Sequence, residues 1–270
     1  MKKITGIIFS LCFVLIGQAQ TPDVWDGTSD TTWYNTTDTL FQLTTAEQLA
    51  GLAVMVNHGN SFQGKTIELM NDVDLGGALD TPLNWMPIGC CIRTDTGTIY
   101  TNFSGIFNGN NKSIMNVYLY SNIVYTFEFG LFGSIDSACL HNILIKNVVF
   151  DIFNSNYIRC GSLIGNMSNS SIYHCNVESN LYFDFSFMCI GGIVGEATQS
   201  VISNSCFYGK IEGDTMQYVG GILGYSLTTM ISNCYVIADI SGNSVIGGLI
   251  GCSVWSTVHN NFFIGKAKRY

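Results

Sequence analysis

The sequence predicts an all-β protein, a right-handed parallel β-helix (β-solenoid) with an N-terminal capping helix. Three observations lead to this fold class: glycine-rich blocks recur about every 30 residues, apolar residues recur at fixed offsets between them, and charged residues are scarce. Charged residues make up 11% of the 270 positions, against about 25% in a typical soluble domain. Such a composition suits a chain that buries stacks of apolar side chains and turns on small polar residues.

Residues 1–19 have the layout of a secretory signal peptide. Lys2 and Lys3 precede an apolar stretch at 4–16, and the small residues Gly17 and Ala19 follow it. We expect cleavage near Ala19 and a mature chain that is secreted or held at a bacterial cell surface. The apolar stretch is too short to cross a bilayer, so the sequence does not predict a transmembrane protein.

The charge balance and the cysteines limit the choice of ligands. The formal net charge of −8 and the absence of a basic run disfavour nucleic acid and anionic membranes as partners. Nine cysteines follow the predicted signal peptide, none of them in a CxxC pair, so a zinc site is disfavoured and no cofactor is predicted. Buried thiols and at least one disulfide both stay open, because export permits pairing but does not require it.

Residues 20–128 are predicted to form an N-terminal cap and degenerate first coils. Thr44 and Glu47 resemble a capping box, and Leu49, Leu52 and Val56 follow at helical spacing, which predicts one amphipathic helix. A helix at this place would cover the unpaired strand edges at the open end of a solenoid. Short apolar strands follow, with a loop at roughly 76–102.

Residues 129–270 are predicted to form five solenoid repeats. Glycine-rich blocks stand at 130–133, 161–165, 191–195, 220–224 and 247–251. Counted from the closing glycine of each block, the seventh residue is always aliphatic and the twelfth always apolar, while the ninth is asparagine in four repeats and His174 in the other. Fixed offsets of this kind indicate that equivalent residues of successive repeats stack on one another.

The composition of each repeat favours strands over helices. Paired glycines, Asn and Ser clusters and β-branched or aromatic residues are typical of short strands joined by turns. Parallel coils would then advance by about 4.8 Å each. Proline is absent after Pro87, as expected where backbone N–H groups pair between coils. The glycine pairs are predicted to mark turns with positive φ or close approaches, and the asparagines to adopt left-handed geometry and form ladders between coils.

Several motifs in this order resemble the GLUG-motif proteins, which are abundant among secreted and surface proteins of Bacteroidetes-type bacteria. They are TAEQLAGLA at 45–53, FQGKTIEL at 62–69, DVDL at 72–75, WMPIG at 85–89, FSGIFNGNNKSI at 103–114 and the glycine blocks. The resemblance runs from about Trp25 to Ile264. It implies a right-handed β-helix exported to the cell envelope, with adhesin-like or peptidase-associated relatives and no agreed catalytic residues.

Two groups of residues are candidates for binding. The aromatic residues Trp25, Trp33, Tyr34 and Trp85 could stack on sugars, although packing against the capping helix is the competing interpretation. Asp72 and Asp74 alternate along a strand and could share a calcium ion, whereas such a pair more often shapes a turn.

The sequence does not assemble an obvious catalytic site. The bases Lys146, Arg159 and Lys210 share no register with a carboxylate cluster, and Glu196, Glu212 and Asp214 form the only loose acidic group in the repeats. No catalytic residue is therefore predicted.

We therefore predict a non-catalytic exported solenoid that acts as a surface or extracellular binding or adhesion module. Its expected partners are host or matrix glycans or proteins. The alternatives are a polysaccharide-degrading β-helix lyase or hydrolase, and a structural spacer of a larger adhesin that associates end to end.

Overall fold

The computed structural model describes residues 22–94, 97–121, 128–153, 158–183, 189–213 and 216–270. Strands, mostly parallel, form 59% of the chain and wind into a β-helix of about 7 turns with one helix near the N-terminus. The predicted fold class is thereby confirmed. The predicted signal peptide at 1–19 and the candidate acid Asp214 lie outside the described residues.

The N-terminal part builds the first coils and one hairpin. Its elements are β1 (Leu40–Leu43), α1 (Ala46–Asn57), β2 (Thr66–Leu69), β3 (Val73–Asp74), β4 (Cys91–Thr94), β5 (Gly97–Tyr100) and β6 (Ile106–Ser121). Strands β1, β2 and β6 pair in parallel, and β3 pairs with β6. Strands β4 and β5 form an antiparallel hairpin within the predicted loop.

Helix α1 begins one residue later than the predicted capping box. The N-cap is Thr45, whose side chain accepts a hydrogen bond from the Gln48 backbone N–H, while the Gln48 side chain accepts one from the Thr44 N–H. The predicted pair Thr44 and Glu47 was therefore wrong by one position. The apolar face of the helix, including Leu49 and Leu52, is fully buried in the core of the solenoid.

Each later coil supplies one strand to each of two short parallel sheets and one or two strands to a long parallel sheet. The strands are β7 (Glu128–Phe129), β8 (Phe132–Asp136), β9 (Cys139–Ile152), β10 (Arg159–Gly161), β11 (Ile164–Ser168), β12 (Ser171–Phe183), β13 (Cys189–Gly191), β14 (Val194–Thr198), β15 (Val201–Ser203), β16 (Cys206–Gly213), β17 (Tyr218–Gly220), β18 (Leu223–Leu227), β19 (Met230–Ser232), β20 (Tyr235–Gly242), β21 (Val245–Gly247), β22 (Ile250–Val254), β23 (Thr257–His259) and β24 (Phe262–Arg269). We call β7, β10, β13, β17 and β21 the first short sheet, and β8, β11, β14, β18 and β22 the second short sheet. The remaining strands of these coils continue the long sheet that β1, β2, β3 and β6 begin.

The stacking predicted from fixed offsets is present in the strand register. Leu140 pairs with Ile172, which pairs with Ile202 in the next coil, and the same ladder continues through Ile231 to Val258. The first four of these side chains are fully buried, and Val258 in the last coil is 44% exposed. The core of the solenoid is therefore a set of such apolar columns.

The predicted asparagine corner has left-handed backbone geometry in every coil. Its members are Asn142, His174, Asn204, Asn233 and Asn260, with φ between 48° and 55°. Asparagine tolerates this region because its short side chain can bond to the nearby backbone. The Asn142 amide also donates to the Asn108 side chain of the preceding coil at 3.2 Å. Asn108 is the register partner of His141, so this bond does not join equivalent corner residues as the predicted ladder would.

A second left-handed corner follows the second short sheet and was not predicted. Its members, which we call the corner track, are Ser137, Asn169, Gln199, Thr228 and Trp255, with φ between 47° and 56°. Each of the first four donates its backbone N–H to a carbonyl of the next coil. Because its residue types differ from coil to coil, no residue pattern marked this corner in the sequence.

The paired glycines act by close approach, which is the second of the two predicted alternatives, and not by positive φ. None of the pairs in the repeats is among the described glycines with positive φ. At Gly192 an added Cβ would lie 2.2 Å from the Gly221 carbonyl oxygen and 2.4 Å from the ring of Phe207. Glycine is needed here because a large core side chain and the next coil occupy the space of a Cβ.

Ser162 occupies the place of Gly192 one coil earlier, and its hydroxyl is buried in the core. The side chain is fully buried and its Oγ has no hydrogen-bond partner among the described residues. We predict that Ser162→Ala raises the free energy of unfolding by about 1 kcal/mol, because a buried hydroxyl without a partner carries a desolvation cost. Urea unfolding measures the change, and a lower stability would contradict the prediction.

Ser170 provides the matched control for this prediction. Its buried Oγ donates to the Ser168 carbonyl at 2.6 Å and accepts from the Ala138 N–H at 2.9 Å. We therefore expect Ser170→Ala to lower the free energy of unfolding by about 1 to 2 kcal/mol.

The eight cysteines whose side chains are described are all free thiols, six of them buried. Cys175 and Cys234 point into the core, but they belong to coils separated by the coil of Ser205. Cys206 lies in a different column, where its thiol donates to the Asn176 side chain. The thiols of Cys175, Cys206 and Cys234 therefore do not lie in one column of adjacent coils. Among the described residues, no helix has the length and apolar character needed to cross a membrane.

Candidate functional site

The aromatic residues proposed for ligand stacking lie in or against the core. Trp25 and Trp85 are 7% and 1% exposed, and their rings meet edge to face at 5.6 Å. The Trp85 indole donates to the Leu131 carbonyl at 3.0 Å, so both its ring and its polar atom are used within the fold. Buried rings offer no face to a sugar, so the burial of Trp25 and Trp85 favours a packing role for both residues.

Trp33 and Tyr34 are half-buried and pack against Phe41 and Phe62. The Lys65 ammonium lies 5.4 Å from the centre of the Phe41 ring and 5.6 Å from that of Tyr34. The competing interpretation placed these rings against the capping helix, whereas the ring contacts of Trp33 and Tyr34 are with Phe41 in β1 and Phe62 after α1.

Asp72 and Asp74 bind the backbone and side chains of β6 and the following turn. Asp72 accepts from the Ser113 N–H at 2.7 Å, while Asp74 accepts from the Gly76 N–H at 3.0 Å and the Asn116 amide at 2.9 Å. Within the described ranges, no group of three or more His, Cys, Asp or Glu side chains is arranged to hold a metal ion. The contacts fit the turn-shaping interpretation of this pair.

A polar groove runs along the second short sheet and forms the best candidate site. It has a volume of about 530 Å³ and its lining includes the hairpin end and the coils of β8 and β11. We call it the short-sheet groove, lined by Tyr100, Asn102, Glu128, Ser134, Ile135, Asp136, Arg159, Asn166, Ser168 and Asn169. Most of these side chains end in an amide, a hydroxyl or a charge.

Arg159 joins two carboxylates from different coils at the base of this groove. Its Nη1 lies 3.3 Å from Glu128 Oε1, and its Nε lies 2.6 Å from Glu196 Oε2. Glu128 and Arg159 are register neighbours on the first short sheet, while Glu196 comes from the second short sheet. Burial by itself would lower the pKa of Arg159, but the two carboxylates, Glu196 foremost, raise it above its usual range.

Sequence reasoning missed this cluster because it counted forward from the closing glycines. Arg159 stands six residues before Gly165, and Glu128 stands five residues before Gly133, so both belong to the coil that the following glycine closes. Counting backward from each closing glycine would have placed them on adjacent strands. Lys210, by contrast, pairs with Glu212 on its own strand of the long sheet.

Cys189 lies beside the cluster with its thiol 3.8 Å from Glu196 Oε2. Burial and the Glu196 carboxylate raise the pKa of Cys189 to about 12. The thiol therefore stays protonated at neutral pH and acts as a hydrogen-bond donor to Glu196, since a thiol must lose its proton to become a nucleophile.

The rim of the groove combines planar amides with one exposed ring. The Asn169 amide donates to the Asp136 carboxylate at 2.9 Å, which fixes both side chains at the edge of the second short sheet. Tyr100, at the end of hairpin strand β5, is 71% exposed. Further along the axis, Tyr218 and Tyr225 pack with ring centres 5.5 Å apart. Such a surface can hydrogen-bond hydroxyl groups and stack on an apolar ring face.

His141 lies on the long sheet, outside this groove, and makes the stability of the fold depend on pH. Its ring stacks on Tyr173 at 4.8 Å. Burial, followed by the neighbouring His174, lowers the pKa of His141 below the ordinary value of 6.5. The unfolded chain therefore takes up a proton at a higher pH than the folded chain does. We predict that stability falls as the pH drops through 6.5 towards the folded-state pKa.

The variant His141→Phe separates this effect from the titration of carboxylates. A phenyl ring keeps the stacking on Tyr173 but takes up no proton. Urea midpoints at about pH 7.5 and about pH 5.5 should differ less in the variant than in the wild type. An equal difference in both proteins would contradict the assignment to His141.

Comparison with known families connects one coil to a described sequence motif. The family model for the GLUG motif matches residues 217–241, which extend from the residue before β17 into β20 and include the glycine block at 220–224. One coil therefore carries the GLUG motif. This GLUG coil pairs in parallel with the coils on both sides. Neither the curated proteins nor the solved structures gave a match to the chain.

Proposed function

We propose that the protein is an exported, extracellular β-solenoid module that binds glycans in the short-sheet groove. The observation that carries the proposal is the groove itself, where amide and hydroxyl side chains line about 530 Å³ beside the exposed ring of Tyr100. Sugars present hydroxyl groups that pair with amides, and they present apolar C–H faces that stack on aromatic rings. The β-helix fold and the GLUG motif are consistent with an extracellular module.

The charges of the groove favour binding of an uncharged glycan. Three carboxylates, those of Glu128, Asp136 and Glu196, lie in or beside the groove with the single cation Arg159. The whole chain carries a net charge of −8. Anionic polysaccharides would meet repulsion from these carboxylates.

The ion pairs of Arg159 favour binding over cleavage. A glycoside hydrolase needs one carboxylic acid that holds a proton and one ionised carboxylate. Arg159 contacts both Glu128 and Glu196, so the two carboxylates of this cluster are held in ion pairs with one guanidinium. We therefore assign the cluster to holding the two short sheets in position beneath the ligand.

A glycan array with matched variants tests the proposal. Tyr100→Ala and Asn166→Ala should each weaken binding, because they remove a stacking surface and an amide from the groove. Tyr182→Ala is the control, since Tyr182 is also exposed, at 55%, but lies on β12 in the long sheet. Equal binding by all three variants would contradict the groove as the site, and no binding by the wild type would favour a protein partner or a spacer.

Export and self-association each have a direct test. Residues 1–19 support export by their pattern of charge and hydrophobicity, and mass spectrometry of the protein from the culture medium should show a chain that begins at Gln20.

Strands β21 to β24 lie at the edges of their sheets, with Phe262 and Ile264 more than half exposed. Size measurement across concentration tests end-to-end association, and a persistent monomer would contradict the spacer alternative.

A further inference from the structure

We infer that Trp255 is the stacking platform of a second subsite, and that the ligand is an extended neutral polysaccharide lying along the corner track. The inference rests on the proposed function and specifies its substrate class. The corner track places one exposed residue per coil in a line parallel to the solenoid axis, from Ser137 to Trp255. Four steps of about 4.8 Å make the line about 19 Å long.

The conformation of Trp255 is unusual for so large a side chain. It is 85% exposed and has a left-handed backbone with φ of 51°. The equivalent residues of the other coils are Ser137, Asn169, Gln199 and Thr228, all of them polar. A bulky residue in this region costs conformational energy, and the burial of an apolar ring does not compensate for it here. Stacking of the exposed indole on a ligand would offset this conformational cost.

The corner track is continuous with open space suited to a chain of sugars. A second groove of about 560 Å³ lies beside it, lined in part by Gln63, Ser104, Asn169, Ser171 and Gln199. Asn169 also lines the short-sheet groove, so the two spaces share a wall. A ligand held beside Tyr100 could therefore continue through this groove as far as Gln199, and the exposed Thr228 and Trp255 extend the same line over the next two coils.

The surroundings of Trp255 select an uncharged ligand. Its neighbours along the chain and across the coils, Leu227, Thr228, Val254 and Thr257, carry no charge. Each residue of the corner track follows the last residue of a strand in the second short sheet. Among the track residues and these strand ends, Asp136 is the one that carries a charge. The amides and hydroxyls of the track can bond sugar hydroxyl groups, while the indole covers an apolar sugar face.

Stability and binding should respond to Trp255→Asn in opposite directions. Asparagine tolerates left-handed geometry, so the variant should melt at a higher temperature than the wild type. The probes are neutral linear hexasaccharides of glucose, mannose, xylose and N-acetylglucosamine, together with the corresponding disaccharides. We expect hexasaccharide binding to weaken about ten-fold, as for the loss of one aromatic stacking contact, while disaccharide binding stays unchanged.

Tryptophan fluorescence gives an independent readout. Trp255 is the exposed member of the four tryptophans, since Trp25 and Trp85 are buried and Trp33 is half-buried. A bound hexasaccharide should shift the emission of the wild type and leave that of Trp255→Phe unchanged.

The outcomes separate this inference from the proposed function. Hexasaccharide binding that depends on Tyr100 but is unaffected by Trp255→Asn would overturn the inference and leave the proposed function intact. A lower melting temperature for Trp255→Asn would overturn it too, because it would show a structural role for the indole. Absence of binding of every probe to the wild type would overturn both.

Discussion

Gly192→Ala is expected to lower the free energy of unfolding by about 3 kcal/mol or more. The added methyl group would lie 2.4 Å from the ring of Phe207 and 2.2 Å from a backbone oxygen of the next coil. A ring can shift slightly, but Gly221 is tied to the coil on its far side, because its backbone N–H donates to the Gly248 carbonyl at 3.3 Å. Chemical unfolding of the purified variant measures the loss, and an unchanged midpoint would contradict the close approach.

Two further variants assign this loss to its cause. Ser162 occupies the equivalent position one coil earlier, where Val177 replaces Phe207 in the register. Ser162→Ala should therefore stabilise the protein, although it puts the same side chain at the same place in the coil. In the double variant Gly192→Ala/Phe207→Val, the loss should be smaller than the sum of the two single losses, because the smaller side chain makes room for the methyl group. The contact with Gly221 prevents full recovery.

Arg159→Ala is expected to lower the free energy of unfolding by about 3 kcal/mol. The change leaves the Glu128 and Glu196 carboxylates, with side-chain exposures of 6% and 19%, without their cationic partner. Buried charges lose far more when a partner is removed than exposed charges do. Urea unfolding at neutral pH measures the effect.

Lys210→Ala is the matched control for this prediction. The Lys210–Glu212 pair is 41% and 37% exposed, and we expect little change when it is broken. In the background of Arg159→Met, replacing Glu128 and Glu196 with glutamine should recover much of the lost stability, because no buried charge then stays unpaired. A loss as small as that of Lys210→Ala would show that the cluster is not structural.

Much of the fold could be predicted because a solenoid repeats its residue pattern along the chain. The positions of Ile172 and Ile202 after their glycines placed them in one column, since strand pairing between coils allows a single register. The left-handed corner at Asn204 was predicted for a similar reason, because asparagine is one of the few residues that favour that geometry. The role of Gly192 was less accessible, since glycine serves equally for positive φ and for close approach.

The candidate site was harder to predict because its residues do not repeat. Glu128, Arg159 and Glu196 occur once each and meet through the stacking of three different coils. Trp25 and Trp85, which the sequence offered as binding candidates, are in the core, whereas Trp255, which is exposed, was not among the predicted site residues. The residue type shows whether a side chain has a ring that could stack on a ligand. The exposure of that ring depends on which side chains pack against it in the fold.

The repeating residue pattern was enough to predict a parallel β-helix of about 30 residues per coil, with a helix near its N-terminus and few charged residues. These properties follow from local periodicity, because each coil must place apolar residues inward and turn-forming residues at its corners. Which side chains share a surface became known from the folded structure. Arg159 contacts Glu128, 31 positions before it, and Glu196, 37 positions after it. These contacts form because stacking brings adjacent coils within about 4.8 Å of each other, whatever residues they carry. A repeating pattern thus specifies the scaffold, while the site depends on the residues that break the pattern.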